Sequence, residues 1–141
     1  MSRYQVTVKS RDGKHSRAVA IYVYDTEEEL YKAASDWNGE PNDWEGTNGL
    51  TQSGWLDSID EKGEVTSSKH IVLIRLMRPH LGSAVVSHEC CHAAIRIWQA
   101  WHKSGLNIEE DDIEKEEEYC YLLSDLVYLV VNKLYAKGYY K

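Results

Sequence analysis

The segment HECCH at positions 88–92 constrains the fold of this chain more than any other feature. It lies within residues 84–103, where apolar residues such as Val86, Ala93 and Ile97 recur at the spacing of an α-helix. These apolar residues lie on the side of the helix opposite the two histidines. We therefore expect the helix to be buried on both sides, with its histidines facing the interior.

Two histidines four residues apart project from one face of a helix, one turn apart. The imidazoles of His88 and His92 can therefore reach one Zn²⁺ at about 2.0–2.1 Å. Glu89 follows about 100° further around the helix, which puts its carboxylate beside the open position of the metal. There it can take a proton from a zinc-bound water. The pattern predicts a zinc site with His88 and His92 as ligands and Glu89 as catalytic base.

Chance and core packing offer competing explanations of this pattern. Random order of a chain of this composition would produce the motif in roughly one chain in forty. A pair of hydrogen-bonded core histidines is the structural alternative. It must also bury Glu89, and an unpaired buried carboxylate is costly. We therefore favour metal binding.

Two histidines do not complete a zinc site, so a third ligand has to be found. A third histidine in the pattern H-E-x-x-H-x-x-G-x-x-H is excluded, because Ile95 and Trp98 occupy its Gly and His positions. The remaining common solution is a carboxylate from the next helix. The acidic run EEDDIEKEEE at 109–118 lies where such a ligand is expected. Most of this run is interpreted as the solvated first turns of a helix.

Helical phase selects one carboxylate from this run. Glu117 shares a face with residues that all fall within about 60° of it on a helix of 100° per residue. They are Ile113, Cys120, Tyr121, Ser124, Tyr128 and Val131. We interpret this face as packed and predict Glu117 as the third metal ligand, with Glu118 and Glu114 as the next candidates.

Elsewhere the sequence predicts several short strands, from alternation and from β-branched and aromatic residues. They are residues 4–10 and 18–24 as an opening hairpin, a weak strand or turn pair at 55–66, and residues 70–77, which end at Pro79.

Three helices are also predicted, and their boundaries come from capping residues. They are a short helix that Thr26 and Glu29 begin as a capping box, the helix between Ser83 and Gly105, and a long C-terminal helix from near Asn107, with Glu110 three residues on, to Gly138. Residues 38–54 predict a loop, in which Trp44 is a packing anchor or part of a lid.

The predicted fold class is α+β. A small mixed or antiparallel sheet with a short helix is followed by the HExxH helix and a second long helix. We expect one domain over residues 1–141.

Composition excludes several classes of partner and location. A net charge of −7 argues against a nucleic-acid partner. Neither a membrane-spanning segment nor a signal peptide is expected. The three cysteines, two of them adjacent, suggest free thiols in a reducing compartment, so we expect a cytoplasmic protein.

The strand at 70–77, the HExxH helix and the downstream helix together resemble the minimal zincins of the gluzincin type. Small zincin-like proteins of phages and prophages, and more distantly the ImmA/IrrE group, show the same arrangement. The resemblance covers roughly residues 70–131. It implies that the Glu of an E-x-x-A motif is a ligand, and Glu117-Glu118-Tyr119-Cys120 matches it with Cys in place of Ala. The Asn and Phe of the ImmA/IrrE pattern are Tyr121 and Leu123 here.

The resemblance implies a zinc metallopeptidase whose substrate is a peptide or protein, with the strand at 70–77 beside the active-site helix. For a phage-encoded protein, the substrate could be one specific protein in the cytoplasm of the host. Candidates for stabilising the oxyanion are Tyr121 and Tyr128, or His80 or His102.

The alternative function is a catalytically idle zincin-like binding or inhibitory protein that keeps its metal for structure. Retention of Glu89 favours the enzyme, because a structural zinc site needs no base.

Overall fold

The computed structural model describes residues 1–39, 44, 46–103, 107–109 and 111–140. It has the α+β architecture predicted from the sequence. In chain order the elements are β1 (Ser2–Lys9), β2 (Ser16–Tyr24), α1 (Glu27–Asn38), β3 (Gly49–Ile59), β4 (Val65–Met77), a 3₁₀ turn (Arg78–His80), α2 (Ser83–His102) and α3 (Ile113–Ala136).

The four strands form one mixed sheet in the order β1-β2-β4-β3. β1 and β2 are an antiparallel hairpin, and β3 and β4 are a second one. The two hairpins join through a parallel pairing of β2 with β4, in which Val19 lies opposite Val72. β4 is therefore an inner strand and β3 an edge strand.

The main core lies between one face of the sheet and helices α2 and α3. Alternate residues of the inner strands, among them Ile21 and Ile74, are fully buried on this face. The buried residues of α3 recur every four positions, and they are Leu122, Leu126, Val130 and Leu134. Burying each of these side chains contributes about 1.5–3 kcal/mol.

The other face of the sheet buries a charged residue beneath α1. Arg75 is 5% exposed. Its Nε donates to Gln52 Oε1 at 2.7 Å, and its Nη1 donates to the Tyr24 hydroxyl at 2.6 Å. The guanidinium also lies over the Tyr22 ring, 5.2 Å from its centroid. These contacts replace part of the hydration that burial removes.

The predicted start of α1 is correct, whereas the predicted starts of α2 and α3 are wrong. The start of α1 is confirmed, since Thr26 Oγ1 accepts from the Glu29 amide at 3.3 Å. α2 begins with Ser83 as its first residue and Gly82 as N-cap, so the prediction of Ser83 as cap is wrong by one residue. α3 begins at Ile113 and not near Asn107. Asp112 caps it by accepting from the Lys115 amide at 3.1 Å. Gly105, the predicted stop of the helix before it, and Glu110, the predicted capping partner of Asn107, lie outside the described residues.

The last six residues of the predicted loop at 38–54 are wrong, because β3 already begins at Gly49. Glycine normally weakens a strand, but at this position it allows close approach of a helix. A Cβ on Gly49 would lie 3.1 Å from Glu89 Cγ. Trp44 takes the packing role, with its indole N–H donating to Ser35 Oγ at 3.0 Å.

Two further expectations concerned the cysteines and membrane-spanning segments. All three cysteines are free thiols, as predicted, and burial raises the pKa of Cys90 to about 12. Among the described residues, no helix is both long enough and apolar enough to cross a membrane.

The buried Arg75 gives a test of this fold. We expect Tyr24→Phe to lower the free energy of unfolding by about 1–3 kcal/mol, because a buried guanidinium loses a hydrogen-bond acceptor. Chemical denaturation at pH 7 measures the change.

Tyr22→Phe is the matched control for this variant. Among the described residues, the Tyr22 hydroxyl accepts only from the exposed Arg3, at 3.2 Å, and its ring stays beneath Arg75. We expect a change within about 0.5 kcal/mol. Equal losses in the two variants would show that the hydroxyl at Tyr24 does not stabilise Arg75.

Candidate metal centre

His88 and His92 lie side by side on one face of α2. Their Nε2 atoms are 3.2 Å apart, and their rings meet edge to face with centroids 4.8 Å apart. Both side chains are exposed, so the expectation that they face the interior is wrong. The reason is that α2 packs on the sheet through other faces, which include Cys90 and Ala94, while the histidine face lies at the open margin next to β3.

The separation of the two nitrogens fits one shared zinc ion. Two ligands at about 2.0–2.1 Å from a tetrahedral centre are about 3.3–3.4 Å apart. A hydrogen bond between two neutral imidazoles also spans 3.2 Å. The separation is therefore compatible with a shared metal ion and with a mutual hydrogen bond.

Glu89 is 5% exposed and is held between α2 and the edge strand. Thr51 Oγ1 is 2.9 Å from the Glu89 carbonyl oxygen and 3.1 Å from Glu89 Oε1, and its one hydrogen can be donated to either acceptor. Gly49, two residues before Thr51 on β3, leaves room for the Glu89 methylenes. The buried carboxylate therefore has one hydroxyl within hydrogen-bond distance, which it shares with the Glu89 carbonyl oxygen.

Two adjoining open clefts meet at these residues, along the edge of β3. One is lined by Gly49, Leu50, Thr51, His88, Glu89, His92 and Arg96. The other is lined by Thr47, Asn48, Gly49, Ala84, Val85, His88 and Glu89. The two clefts share a wall formed by Gly49, His88 and Glu89.

Arg96 is a residue of this site that the sequence analysis missed. It follows His92 by four positions, is exposed, and lines the same cleft. Its spacing was the available signal, since positions four apart share a helix face. The guanidinium supplies a positive charge and N–H donors beside the histidine pair.

Glu117 is not brought to this site. It is exposed on α3, so the prediction that it lies on a packed face is wrong. α3 packs on β1 and on α2, where the Tyr119 hydroxyl lies 3.9 Å from Cys91 Sγ, but Glu117 lines neither cleft beside His88. Glu114 is also exposed, and Glu118 lies 3.8 Å from His102. Within the described part of the chain, no three His, Cys, Asp or Glu residues form a group that could hold a metal.

The aromatic and histidine candidates for an oxyanion donor also lie elsewhere. Tyr121 lies beneath the Arg11 guanidinium, which is 4.1 Å from its ring centroid, and Tyr128 is 66% exposed. His102 stacks on Trp98 with ring centroids 4.0 Å apart. His80 belongs to the 3₁₀ turn after β4. None of the four candidates lines either cleft beside His88.

The edge strand beside the site is also different from the predicted one. Residues 70–77 belong to β4, which lies between β2 and β3 and has no free edge there. β3 takes the position next to the histidine pair. The edge of the sheet beside the histidine pair is thus that of β3.

Comparisons with family models, with curated proteins and with solved structures give no match for the chain. The resemblance to zincins stays a prediction drawn from residues 70–131. The site has to be argued from its own geometry.

Gly49 offers a test of how Glu89 is positioned. We expect Gly49→Ala to lower the free energy of unfolding by about 1–3 kcal/mol, because the new methyl group crowds the side chains of Glu89 and Val85, each at 3.1 Å. Denaturant titration measures this change.

Gly54→Ala is the control on the same strand. Its Cβ would meet only Trp37 Cζ2 at 3.6 Å, an ordinary contact distance. We expect a change within about 0.5 kcal/mol. If Gly49→Ala also left the free energy of unfolding unchanged, α2 would not pack on β3 as closely as described.

Proposed function

We propose that the protein is a zinc-dependent metallopeptidase in which His88 and His92 bind the metal and Glu89 is the catalytic base. One observation carries the proposal: the two Nε2 atoms lie 3.2 Å apart, next to a carboxylate whose position is held by Thr51. This combination brings a ligand pair and a base to the same open cleft. A pair of core histidines would not require an adjacent cleft.

The residues of the cleft divide the chemistry between them. His88 and His92 would hold Zn²⁺, which would supply Lewis acidity toward a peptide carbonyl and toward water. Glu89 takes the proton of the attacking water, and the Thr51 hydroxyl orients its carboxylate. Arg96 supplies N–H donors and positive charge near the developing oxyanion. In this role Arg96 replaces Tyr121 and Tyr128.

The edge strand supports a peptide or protein as substrate. β3 has an unpaired edge next to the cleft, and an extended peptide can add to such an edge through backbone hydrogen bonds. A specific host protein is the expected substrate for a phage-encoded peptidase. The free thiols support a location in the cytoplasm.

The burial of Glu89 favours a second candidate function. Because the side chain is 5% exposed and packs on β3, it could serve structure alone. The protein would then be a zincin-like binding or inhibitory protein without catalysis. Separate tests of metal binding and hydrolysis distinguish the two functions.

The first test is zinc binding. We expect about one equivalent of zinc per chain by mass spectrometry, and loss of that zinc in both His88→Ala and His92→Ala. His80→Ala, which changes a histidine outside the clefts, should retain it. Glu117→Ala should also retain it, because Glu117 is exposed on α3. If His88→Ala keeps the zinc content of the wild type, the proposed zinc site at His88 and His92 is ruled out.

The second test is hydrolysis of a labelled, unfolded protein substrate such as casein. We expect zinc-dependent cleavage that a chelator abolishes, and a loss of at least about 100-fold in Glu89→Gln with zinc retained. The glutamine keeps an acceptor for Thr51 but cannot act as a base. If the wild type and Glu89→Gln both bind zinc but do not differ in cleavage, the result favours a zincin-like binding protein without catalysis.

A further inference from the structure

The open space beside the histidine pair continues past the two clefts that meet at His88. A third open cleft follows, and Arg96 lines both this cleft and the one that contains His92. The three clefts together follow β3 from Gly49 to Trp55, a distance of about 20 Å at 3.3 Å per residue. They form one groove between α2 and β3, which is long enough for about six residues of an extended peptide.

Three hydrogen-bond donors line the third cleft, and they are the Arg96 guanidinium, the Gln99 amide and the Ser53 hydroxyl. Arg96 and Gln99 follow His92 by four and seven positions, a spacing that places all three residues on one face of α2. Ser53 follows Thr51 by two positions on β3, so both side chains lie on the same side of the sheet. The donors thus come from the two elements that form the walls of the cleft.

These donors have no acceptor within the described part of the chain. No hydrogen bond or ion pair engages the side chains of Ser53, Arg96 or Gln99 there, and no described acidic residue lines the third cleft. His70 also lines it, but this side chain is 6% exposed and burial lowers its pKa. At neutral pH, Arg96 is therefore the one charged group among the described residues of the third cleft.

We propose that the third cleft binds an acidic side chain, Asp or Glu, of an extended peptide substrate, and that Arg96 is the specificity-determining residue. This inference rests on the proposed function, which supplies the peptide along β3. A carboxylate only accepts hydrogen bonds, and it matches the planar fork of an arginine together with neutral amide and hydroxyl donors. A lysine of the substrate would instead bring a second positive charge next to Arg96.

The carboxylate belongs to a side chain and not to the end of the peptide, because the groove does not close at this cleft. β3 continues past Trp55 to Ile59, and within the described residues no strand pairs with its outer edge. A peptide on this edge therefore runs on beyond the third cleft. Its C-terminal carboxylate is not required there.

Strand register determines where the acidic residue lies in the substrate. Residues that face each other on paired strands have their side chains on the same side of the sheet. The substrate residue opposite Ser53 is therefore two positions from the one opposite Thr51, which lies at the level of Glu89. We expect the acidic residue two positions from the substrate residue beside the catalytic base.

Binding of short labelled peptides to the zinc-loaded Glu89→Gln variant tests the proposal without hydrolysis. The peptides consist of Thr and Ala, have both ends blocked and differ only in one central residue, which is Glu, Gln or Lys. In fluorescence anisotropy at constant ionic strength, the Glu peptide should bind at least about fivefold more tightly than the Gln peptide. The Lys peptide should bind more weakly than both. A Gln peptide with a free C-terminus should bind like its blocked form.

Further substitutions in the same background locate the preference to the third cleft. With Arg96→Gln, the affinities for the Glu and Gln peptides should lie within about twofold of each other. Gln99→Glu adds a carboxylate to the cleft and should weaken binding of the Glu peptide at least about fivefold. Lys32→Gln is the matched control, because it removes one positive charge from an exposed pair with Asp36 on α1, on the other face of the sheet. It should keep the preference.

Three results would overturn the proposal. They are equal or undetectable binding of the Glu and Gln peptides, an equal effect of Lys32→Gln and Arg96→Gln, and binding of the Gln peptide with a free C-terminus as tight as that of the Glu peptide. The last result would assign the cleft to a chain end.

Failure of the proposed function gives a different result. Absence of casein cleavage by the wild type contradicts the peptidase, but the binding preference is measured separately. A preference for Glu that Arg96→Gln removes supports the acidic subsite with or without cleavage. Because this readout is a ratio of affinities, it does not depend on the contribution of Arg96 to hydrolysis.

Discussion

The parallel pairing of β2 with β4 determines where every other element of this protein lies. Two strands that run in the same direction cannot be joined by a tight turn, so the chain between them must cross the sheet. That crossing contains α1 and β3. As a result β3 becomes an edge strand, β4 is covered on both faces, and α2 packs at the margin where β3 ends the sheet. The open position of the histidine pair follows from this arrangement.

Much of the fold could be predicted because its signals are local. The opening hairpin follows from alternation and the start of α1 from Thr26, and neither depends on distant residues. The beginning of β3 could not be predicted, because Gly49 is acceptable in a strand only when Glu89 packs against it. That contact joins residues forty positions apart. The secondary-structure propensity of the residues around Gly49 contains no information about this contact.

The candidate site shows the same division. The spacing of His88, Glu89 and His92 places all three in one cleft, because the geometry of a single helix is fixed by the backbone. The choice of Glu117 required knowing which face of α3 is buried. The residues that share a face with Glu117 predicted a packed face there, whereas the regularly spaced apolar residues, Leu122 and Leu126 among them, form the buried face. Arg96 was overlooked for a related reason, since an arginine on a helix usually indicates only solvent exposure.

The junction of the two hairpins also has a consequence for how the chain folds. Each hairpin closes through contacts between neighbours in sequence, and such contacts form within microseconds. The pairing between the two hairpins is different, because it joins Val19 to Val72, which are more than fifty residues apart in the chain. Closing so large a loop costs entropy before any core contact repays it, and long-range pairings of this kind slow folding. The rate-limiting event should therefore be the docking of two preformed hairpins. The last parts of the site to become ordered would be the contacts between α2 and β3, which depend on a completed sheet.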